Sequence, residues 1–225
     1  STLDRSSAAS DVYKRQGVYM RTEEGYGLRP NISIRGTAIE RSGKVTIMED
    51  GVLVAPSPYT SSAAYYFPTT GRIHAVEVLK GPAVVSQGPQ TIGGAINLIS
   101  TPIPKVASGK FIQEIGENGM TRTHTYYGAS QGNFGALVEI HEHASDGYDS
   151  IANVGGDTGF DKSDLMIKAN YTSGNHSLTF KRVDLDETSN QSYVGLSQAS
   201  FNANPRMRYG ATAYDKMMNL SLIHI

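Results

Sequence analysis

The stretch Arg72-Ile-His-Ala-Val-Glu-Val-Leu-Lys-Gly-Pro-Ala-Val-Val-Ser-Gln-Gly-Pro-Gln-Thr-Ile-Gly-Gly-Ala-Ile-Asn-Leu-Ile-Ser100 decides the fold of the first half of the chain. The β-forming residues at 76–79 predict a strand, which Gly81-Pro82 ends, and the proline suits the first position of a helical turn. A second β-run follows at 95–99. Glycines allow a tight turn or a close backbone approach, and those between the two runs are Gly88, Gly93 and Gly94.

A glycine-rich turn after a strand is also what nucleotide sites use to hold phosphate. In this stretch no Gly-Lys-Ser/Thr follows the glycines, and Lys80 precedes them. The residues after Gly94 alternate as in a strand, whereas a phosphate loop opens a helix. The sequence therefore argues against a nucleotide site.

Two further β-signals lie upstream. In Arg29-Pro-Asn-Ile-Ser-Ile-Arg-Gly36, Ile32 and Ile34 share one face, which predicts a short, half-buried strand closed by the glycine. Asp50-Gly51 follows the β-formers at 45–48 and is a strong hairpin signal. Together with the central stretch, these segments predict a small mixed sheet with short helices.

The segments that border this sheet are rich in proline. Residues 55–70 have no period and predict a loop, with one helical turn at 62–67. Prolines cannot continue a central strand, so Thr101-Pro-Ile-Pro104 predicts a domain boundary.

After Pro104 the sequence changes to a two-residue period. From Phe134 to Ala144, apolar residues occupy one face, and Glu139, His141 and His143 occupy the other. Apolar-outward, polar-inward alternation over about ten residues is typical of transmembrane β-strands. Related segments lie at 110–115, 121–129, 163–172 and 176–182, which makes five candidate strands.

The connections between these strands support the same interpretation. Those at 130–133 and 172–175 are short, whereas 145–162 and the stretch from 188 onward are long and polar. Short periplasmic turns that alternate with longer extracellular loops are how outer-membrane barrels are built. The connection at 117–120 is the exception, because its place in the alternation is extracellular although it is short.

The sequence resembles the TonB-dependent outer-membrane receptors. The resemblance is strongest in Val76-Glu-Val-Leu-Lys-Gly-Pro82, with Asn97 and the glycines after the helical turn, and it extends to Ile34-Arg-Gly36 and Asp50-Gly51. Residues 193–209 are similar to a run in the siderophore and ferric citrate branch. The resemblance implies a mainly β fold: a small mixed α/β plug domain, then the first antiparallel strands of an incomplete transmembrane β-barrel.

The domain organisation expected from this resemblance is a fragment. We expect a plug domain at 17–104 without its N-terminal part, and barrel strands and loops at 105–220. Residues 1–16 and 221–225 are expected to be non-native ends, because the first has no period and the second stops abruptly on apolar residues. The coupling box of the family is not identifiable in this chain.

The resemblance also implies a function. Receptors of this family are ligand-gated and energised by a TonB-type complex, and they reside in the outer membrane of Gram-negative bacteria, in contact with its lipid. The commonest cargo is a ferric siderophore or ferric citrate, and no bond is made or broken.

The family role of plug–barrel ion pairs carries over to Arg35, Glu77 and Lys80. The structural glycines of the plug are expected to be Gly36, Gly51, Gly81, Gly88, Gly93 and Gly94.

Composition excludes several other classes. The net charge of −1 with interspersed signs gives no basis for nucleic-acid binding, and the absence of cysteine excludes disulfides and thiolate sites.

Residues Glu139, His141 and His143 point the same way on a strand and suggest a metal site, but a polar barrel lumen explains them better. We expect no metal, no cofactor and no enzyme, since no nucleophile, base and orienting group can be assembled. The alternative is a soluble or surface β-rich binding or adhesion module of the envelope.

Overall fold

The computed structural model describes residues 17–22, 26–54, 66–152, 155–192, 196–209 and 213–224. The chain divides into two compact units, Ser1–Pro102 and Ile103–Ile225. The end expected to be non-native at 1–16, and most of the helical turn expected at 62–67, lie outside the described residues. None of the described helices has the length and hydrophobicity needed to cross a membrane.

The first unit contains two small sheets. Strands β1 (Val18–Thr22) and β2 (Pro30–Ile34) form an antiparallel pair. The other sheet has the order β4-β3-β6-β5 and is mixed, since β3 runs parallel to β6 while the other pairs are antiparallel. Its strands are β3 (Val45–Glu49), β4 (Val52–Leu53), β5 (Ile73–Leu79) and β6 (Gly94–Ser100). Short 3₁₀ turns lie at Glu40–Ser42, Thr70–Arg72 and Pro82–Gln87.

The elements expected from the central stretch are present. Strand β5 ends at Leu79, the helical turn begins at Pro82, and β6 begins at Gly94. The turn packs Val84 into a small core with Met48 and Ala95, against Leu53 and Leu79. The strand–turn–strand prediction is confirmed, and it follows from an order of β-formers, a helix-starting proline and glycines that favours this local structure.

The Asp50-Gly51 turn is also confirmed. It joins β3 to β4 with Glu49 opposite Val52, so the loop contains two residues. Both loop residues have positive φ, 50° at Asp50 and 82° at Gly51. Two-residue hairpin loops favour this conformation because its twist matches that of the flanking strands.

The prediction that β2 is half-buried was wrong, because all five of its residues are buried. The turn at 40–42 supplies hydrogen-bond partners to this strand. The amide of Ile32 donates to Ser42 Oγ at 2.9 Å, and the amide of Arg41 donates to the side chain of Asn31. Alternating polarity therefore did not indicate solvent here, since a neighbouring segment covers the polar face.

The second unit is a six-stranded antiparallel sheet with the order β14-β12-β11-β9-β8-β7. A separate parallel pair, β10–β13, lies in its connections. The strands are β7 (Ser108–Ile115), β8 (Thr121–Gln131), β9 (Phe134–Ser145), β10 (Ser150–Ala152), β11 (Phe160–Ser173), β12 (His176–Ser192), β13 (Met207–Tyr209) and β14 (Ala213–His224). One helix, α1 (Gln198–Ala203), precedes β13.

All five predicted strands of the second half are present, but β12 is longer than expected. Residues from Thr188 onward, expected in a loop, continue the strand to Ser192. Strand β12 pairs with β11 on one side and β14 on the other, so hydrogen bonds to neighbouring strands hold a polar sequence in strand form. Residues 221–224 pair in β14. Backbone pairing does not depend on the origin of a sequence, so the expectation that 221–225 is non-native stays a prediction.

Candidate functional site

A buried ion pair lies inside the first unit. The guanidinium of Arg72, at the start of β5, donates to Glu49 Oε1 at the end of β3, and its Nη2 donates to the hydroxyl of Tyr66 at 3.0 Å. The Arg72 and Glu49 residues are 1% and 3% exposed. Sequence reasoning missed this pair, and the available signal was that each charge borders a predicted strand.

The amide side chain of Asn97 connects three strands of the mixed sheet. Its Nδ2 donates to Glu77 Oε2 at 2.8 Å, and its Oδ1 accepts from the amide of Gly51 at 2.8 Å. Asn97 and Glu77 are direct partners across β6 and β5. Asn97 therefore ties the β3–β4 turn to the edge strand β5, and Glu77 fixes the orientation of that amide.

The carboxylate of Asp50 makes a second bridge from the same turn. Its Oδ1 accepts from the amide of Ser100 at 2.9 Å, and its Oδ2 accepts from the hydroxyl of Ser100 at 2.5 Å. The β3–β4 turn is thus bonded to β6 at two residues, Asn97 and Ser100.

The three charges expected to form plug–barrel ion pairs lie in different parts of the first unit. Arg35 directly follows β2 in the two-stranded sheet and has a φ of 58°. Glu77 is in β5, and Lys80 follows β5, both in the four-stranded sheet. All three side chains are exposed. The ion-pair role of these residues stays a prediction.

Five of the six glycines expected to be structural have a positive φ, which other residues rarely adopt, and the sixth, Gly93, lies close to neighbouring backbone atoms. A Cβ on Gly94, with φ of 145°, would lie 2.6 Å from the carbonyl oxygen of Leu79. A Cβ on Gly93 would lie 3.0 Å from the carbonyl oxygen of Lys44. The remaining ones have φ between 73° and 120°, and they are Gly36, Gly51, Gly81 and Gly88.

One face of the large sheet in the second unit carries a set of buried ionisable side chains. His124 Nε2 lies 2.6 Å from Glu139 Oε1, and Lys162 Nζ lies 3.2 Å from Glu187 Oε2. Pairing of this kind is what makes buried charge tolerable. We call this the inner polar face; its buried members are His124, Glu139, His141, Lys162, Asp164, Lys168, Lys181 and Glu187.

The opposite face of the same sheet carries a set of large exposed apolar side chains. Phe134 and Tyr171, opposite each other on β9 and β11, stack with ring centroids 4.7 Å apart although they are 66% and 40% exposed. Contiguous exposed apolar side chains mark a surface that contacts a membrane or another protein. We call this the outer apolar face; its exposed members are Phe111, Ile115, Tyr127, Phe134, Val138, Ile140, Tyr171 and Leu178.

The two histidines of β9 pack against the rings of other side chains. The ring of His141 lies 5.7 Å from that of His124, and His143 packs edge-on against Phe160 at 4.7 Å, centroid to centroid. Glu139 is engaged by His124. Within the described ranges, no group of three or more His, Cys, Asp or Glu residues is arranged to hold a metal ion.

Comparisons with known proteins agree with this architecture. Residues 5–95 match the model of the TonB-dependent receptor plug domain. Among solved structures, the chain is similar to the ferric citrate transporter FecA in its unliganded form, with a TM-score of 0.67, 22% identity, and coverage of 85% of this chain and 30% of that one.

Two further solved structures are similar. For the ferric yersiniabactin uptake receptor FyuA from Yersinia pestis, the TM-score is 0.69 at 20% identity, over 92% of this chain and 32% of that one. For the pyoverdine outer membrane receptor FpvA from Pseudomonas aeruginosa, bound to pyoverdine, it is 0.60 at 17% identity, over 78% and 25%. The chain spans a third or less of these receptors. Residues 5–95 are therefore a TonB-dependent receptor plug domain, and the chain has the fold that these receptors adopt over the plug and the strands that follow it.

Proposed function

We propose that this chain is part of a ligand-gated, TonB-energised uptake receptor of the Gram-negative outer membrane, with a ferric siderophore or ferric citrate as its cargo. One observation carries the proposal: a plug-domain sequence is followed by a sheet that exposes a set of large apolar side chains on one face and buries a set of ionisable side chains on the other. A water-soluble sheet has the reverse arrangement.

The outer apolar face supports contact with lipid. Strands β9 and β11 contain 12 and 14 residues, and about 9–11 tilted residues cross a bilayer. All backbone groups of these two strands have a neighbouring strand on each side, which hydrocarbon requires. Near the middle of β9 the exposed side chains, Val138 and Ile140, are apolar, where a soluble protein would present charge.

The inner polar face supports a lumen. Barrel interiors are polar, and their charges are paired or hydrogen-bonded. The pairs His124–Glu139 and Lys162–Glu187 fit that environment. In our proposal, residues 17–104 form the plug and 105–220 the first wall of the barrel, with Arg35, Glu77 and Lys80 in ion pairs between them.

The cargo is proposed by similarity of fold. Solved relatives are described as a ferric citrate transporter, a ferric yersiniabactin uptake receptor and a pyoverdine receptor. We propose a cargo of the same chemistry, a ferric chelate, bound at the plug and at the long connections of the wall. The partner that supplies energy is a TonB-type complex, which pulls on the plug.

Membrane fractionation of cells that express the complete gene product tests the location. The protein is expected in the outer-membrane fraction, with a migration in gels that changes on heating because the folded barrel resists detergent. Recovery in the soluble periplasm would contradict the proposal and favour the alternative of a soluble β-rich binding module.

Growth under iron limitation tests the cargo. A strain in which the complete gene is deleted is fed single ferric chelates, including ferric citrate, with and without the gene restored. Loss of growth on one chelate, reversed by the restored gene, identifies the cargo. Unchanged growth on every chelate contradicts an iron cargo while leaving the membrane location untouched.

A further inference from the structure

Three connections of the second unit leave the large sheet at the same end of its strands. Ile115 lies opposite Thr121, Ser145 opposite Phe160, and Ser192 opposite Ala213. The connections that start at these pairs are 116–120, 146–159 and 193–212. We call the described residues of these segments, 116–120, 146–152 with 155–159, and 196–209, the first, second and third connections.

The second and third connections pair through their backbones. Strand β10 runs parallel to β13, with Ser150 opposite Met207 and Ile151 opposite Arg208. The amide of Ser150 donates to the carbonyl oxygen of Arg206 at 2.9 Å. Two segments more than fifty residues apart thus form one small sheet, which is more order than a pair of independent loops requires.

An ion pair closes this contact. Arg208 Nη2 lies 2.6 Å from Asp149 Oδ2, and the two side chains are 34% and 6% exposed. Because Asp149 immediately precedes β10 and Arg208 is the middle residue of β13, the pair ties one strand to the other from its end. The low exposure of Asp149 makes the loss of its partner costly.

The first and second connections are also bonded. The carbonyl oxygen of Asn118 accepts from the amide of Asp146 at 2.8 Å and from the hydroxyl of Ser145 at 3.1 Å. The third connection has internal order as well, since Ser197 caps helix α1 through the amide of Ser200 at 3.2 Å. Hydrogen bonds therefore run from the first connection to the third.

We propose that the three connections form one coupled body and that Asp149–Arg208 is the latch that holds the third connection to the second. A contact made by cargo on one of them then restrains the others. The proposal rests on the proposed function only in assuming that this end of the sheet is the one that meets cargo. The coupling itself requires no cargo.

Hydrogen exchange of the complete receptor in detergent micelles tests the latch. In Arg208→Ala, amide exchange is expected to rise severalfold at 150–152, in the second connection, although the substitution is in the third. Arg206→Ala is the matched control, since it removes an exposed cation two residues away, and it should leave exchange at 150–152 unchanged. Equal exchange in both variants would overturn the latch.

Cross-linking tests the pairing separately, since the chain contains no cysteine. Paired strands lie about 4.8 Å apart, within disulfide range, so Ser150→Cys with Met207→Cys should cross-link on mild oxidation. Ser150→Cys with Gln198→Cys, which places the second thiol on α1, should react at least tenfold more slowly. Equal rates for the two pairs would overturn the coupled body.

Adding Arg208→Asp to the Ser150→Cys, Met207→Cys variant should slow its cross-linking. Adding Asp149→Arg as well should restore the rate. Neither assay depends on uptake, so they fail independently of the proposed function.

Discussion

Arg72 and Glu49 form a buried ion pair that joins the start of β5 to the end of β3, two strands separated in the sheet by β6. The hydroxyl of Tyr66 accepts a hydrogen bond from Nη2 of the Arg72 guanidinium. The pair therefore spans the mixed sheet at the end where Thr101 also bonds to the carbonyl oxygen of Arg72. Sequence reasoning did not assign this charged contact.

Arg72→Met is expected to destabilise the first unit by about 3–5 kcal/mol, because it removes the guanidinium that pairs with the buried carboxylate of Glu49. The measurement is a urea titration of protease resistance in the complete protein. Adding Glu49→Leu should recover much of the loss, since an apolar pair of similar volume needs no charge compensation. Arg21→Met, at an exposed arginine of β1, should change stability by less than about 0.5 kcal/mol and is the control.

Gly94→Ala is expected to prevent the mixed sheet from forming. The added Cβ would lie 2.6 Å from the carbonyl oxygen of Leu79, a backbone atom that cannot rotate away, at a φ of 145°. Gly36→Ala is the matched control, because its φ is 73° and nothing lies within 4 Å of the added atom. It should cost only about 1–2 kcal/mol of backbone strain. If both variants gave equal yields of folded protein, the close approach at Gly94 would be wrong.

Asn97→Asp is expected to lower stability by about 1–2 kcal/mol, because it replaces a donor to Glu77 by a second carboxylate. Lowering the pH should recover part of the loss, since protonation of either carboxyl restores a donor. Glu77→Gln in the same chain should recover it at neutral pH, because the new amide donates to Asp. No difference between the single and double variants would show that the Asn97–Glu77 contact does not form.

Val138→Lys is expected to reduce the amount of folded protein in the outer membrane. Val138 is on the outer apolar face of β9, and a lysine facing lipid near the midplane costs about 2–4 kcal/mol. Glu142→Lys is the control, since Glu142 is on the same face of the same strand but near its end and is already charged. The heat-modifiable fraction is compared for the two variants. A larger loss from Glu142→Lys would contradict the assignment of the face.

Local patterns predicted the elements of this protein well. The strand, turn and strand of residues 73–100 follow from β-formers, Gly81-Pro82 and glycines, and the hairpin follows from Asp50-Gly51. These signals act within a few residues, because backbone conformation and turn type are set by neighbouring side chains. The two faces of β9 were predictable for the same reason, since alternation along a strand places successive side chains on opposite sides.

Local sequence patterns predicted the strands of residues 73–100, five strands of the second half and the faces that their side chains share, but not β1, β10, β13 or β14. The partners that meet from distant parts of the chain follow from the tertiary structure: Arg72 with Glu49 at 23 residues apart, β3 beside β6, and Asp149 with Arg208 across two connections. It also decided that both faces of β2 are buried and that β12 continues to Ser192. The physical reason is that a local pattern fixes the direction of a side chain, whereas its partner depends on how strands from separate parts of the chain come to lie side by side.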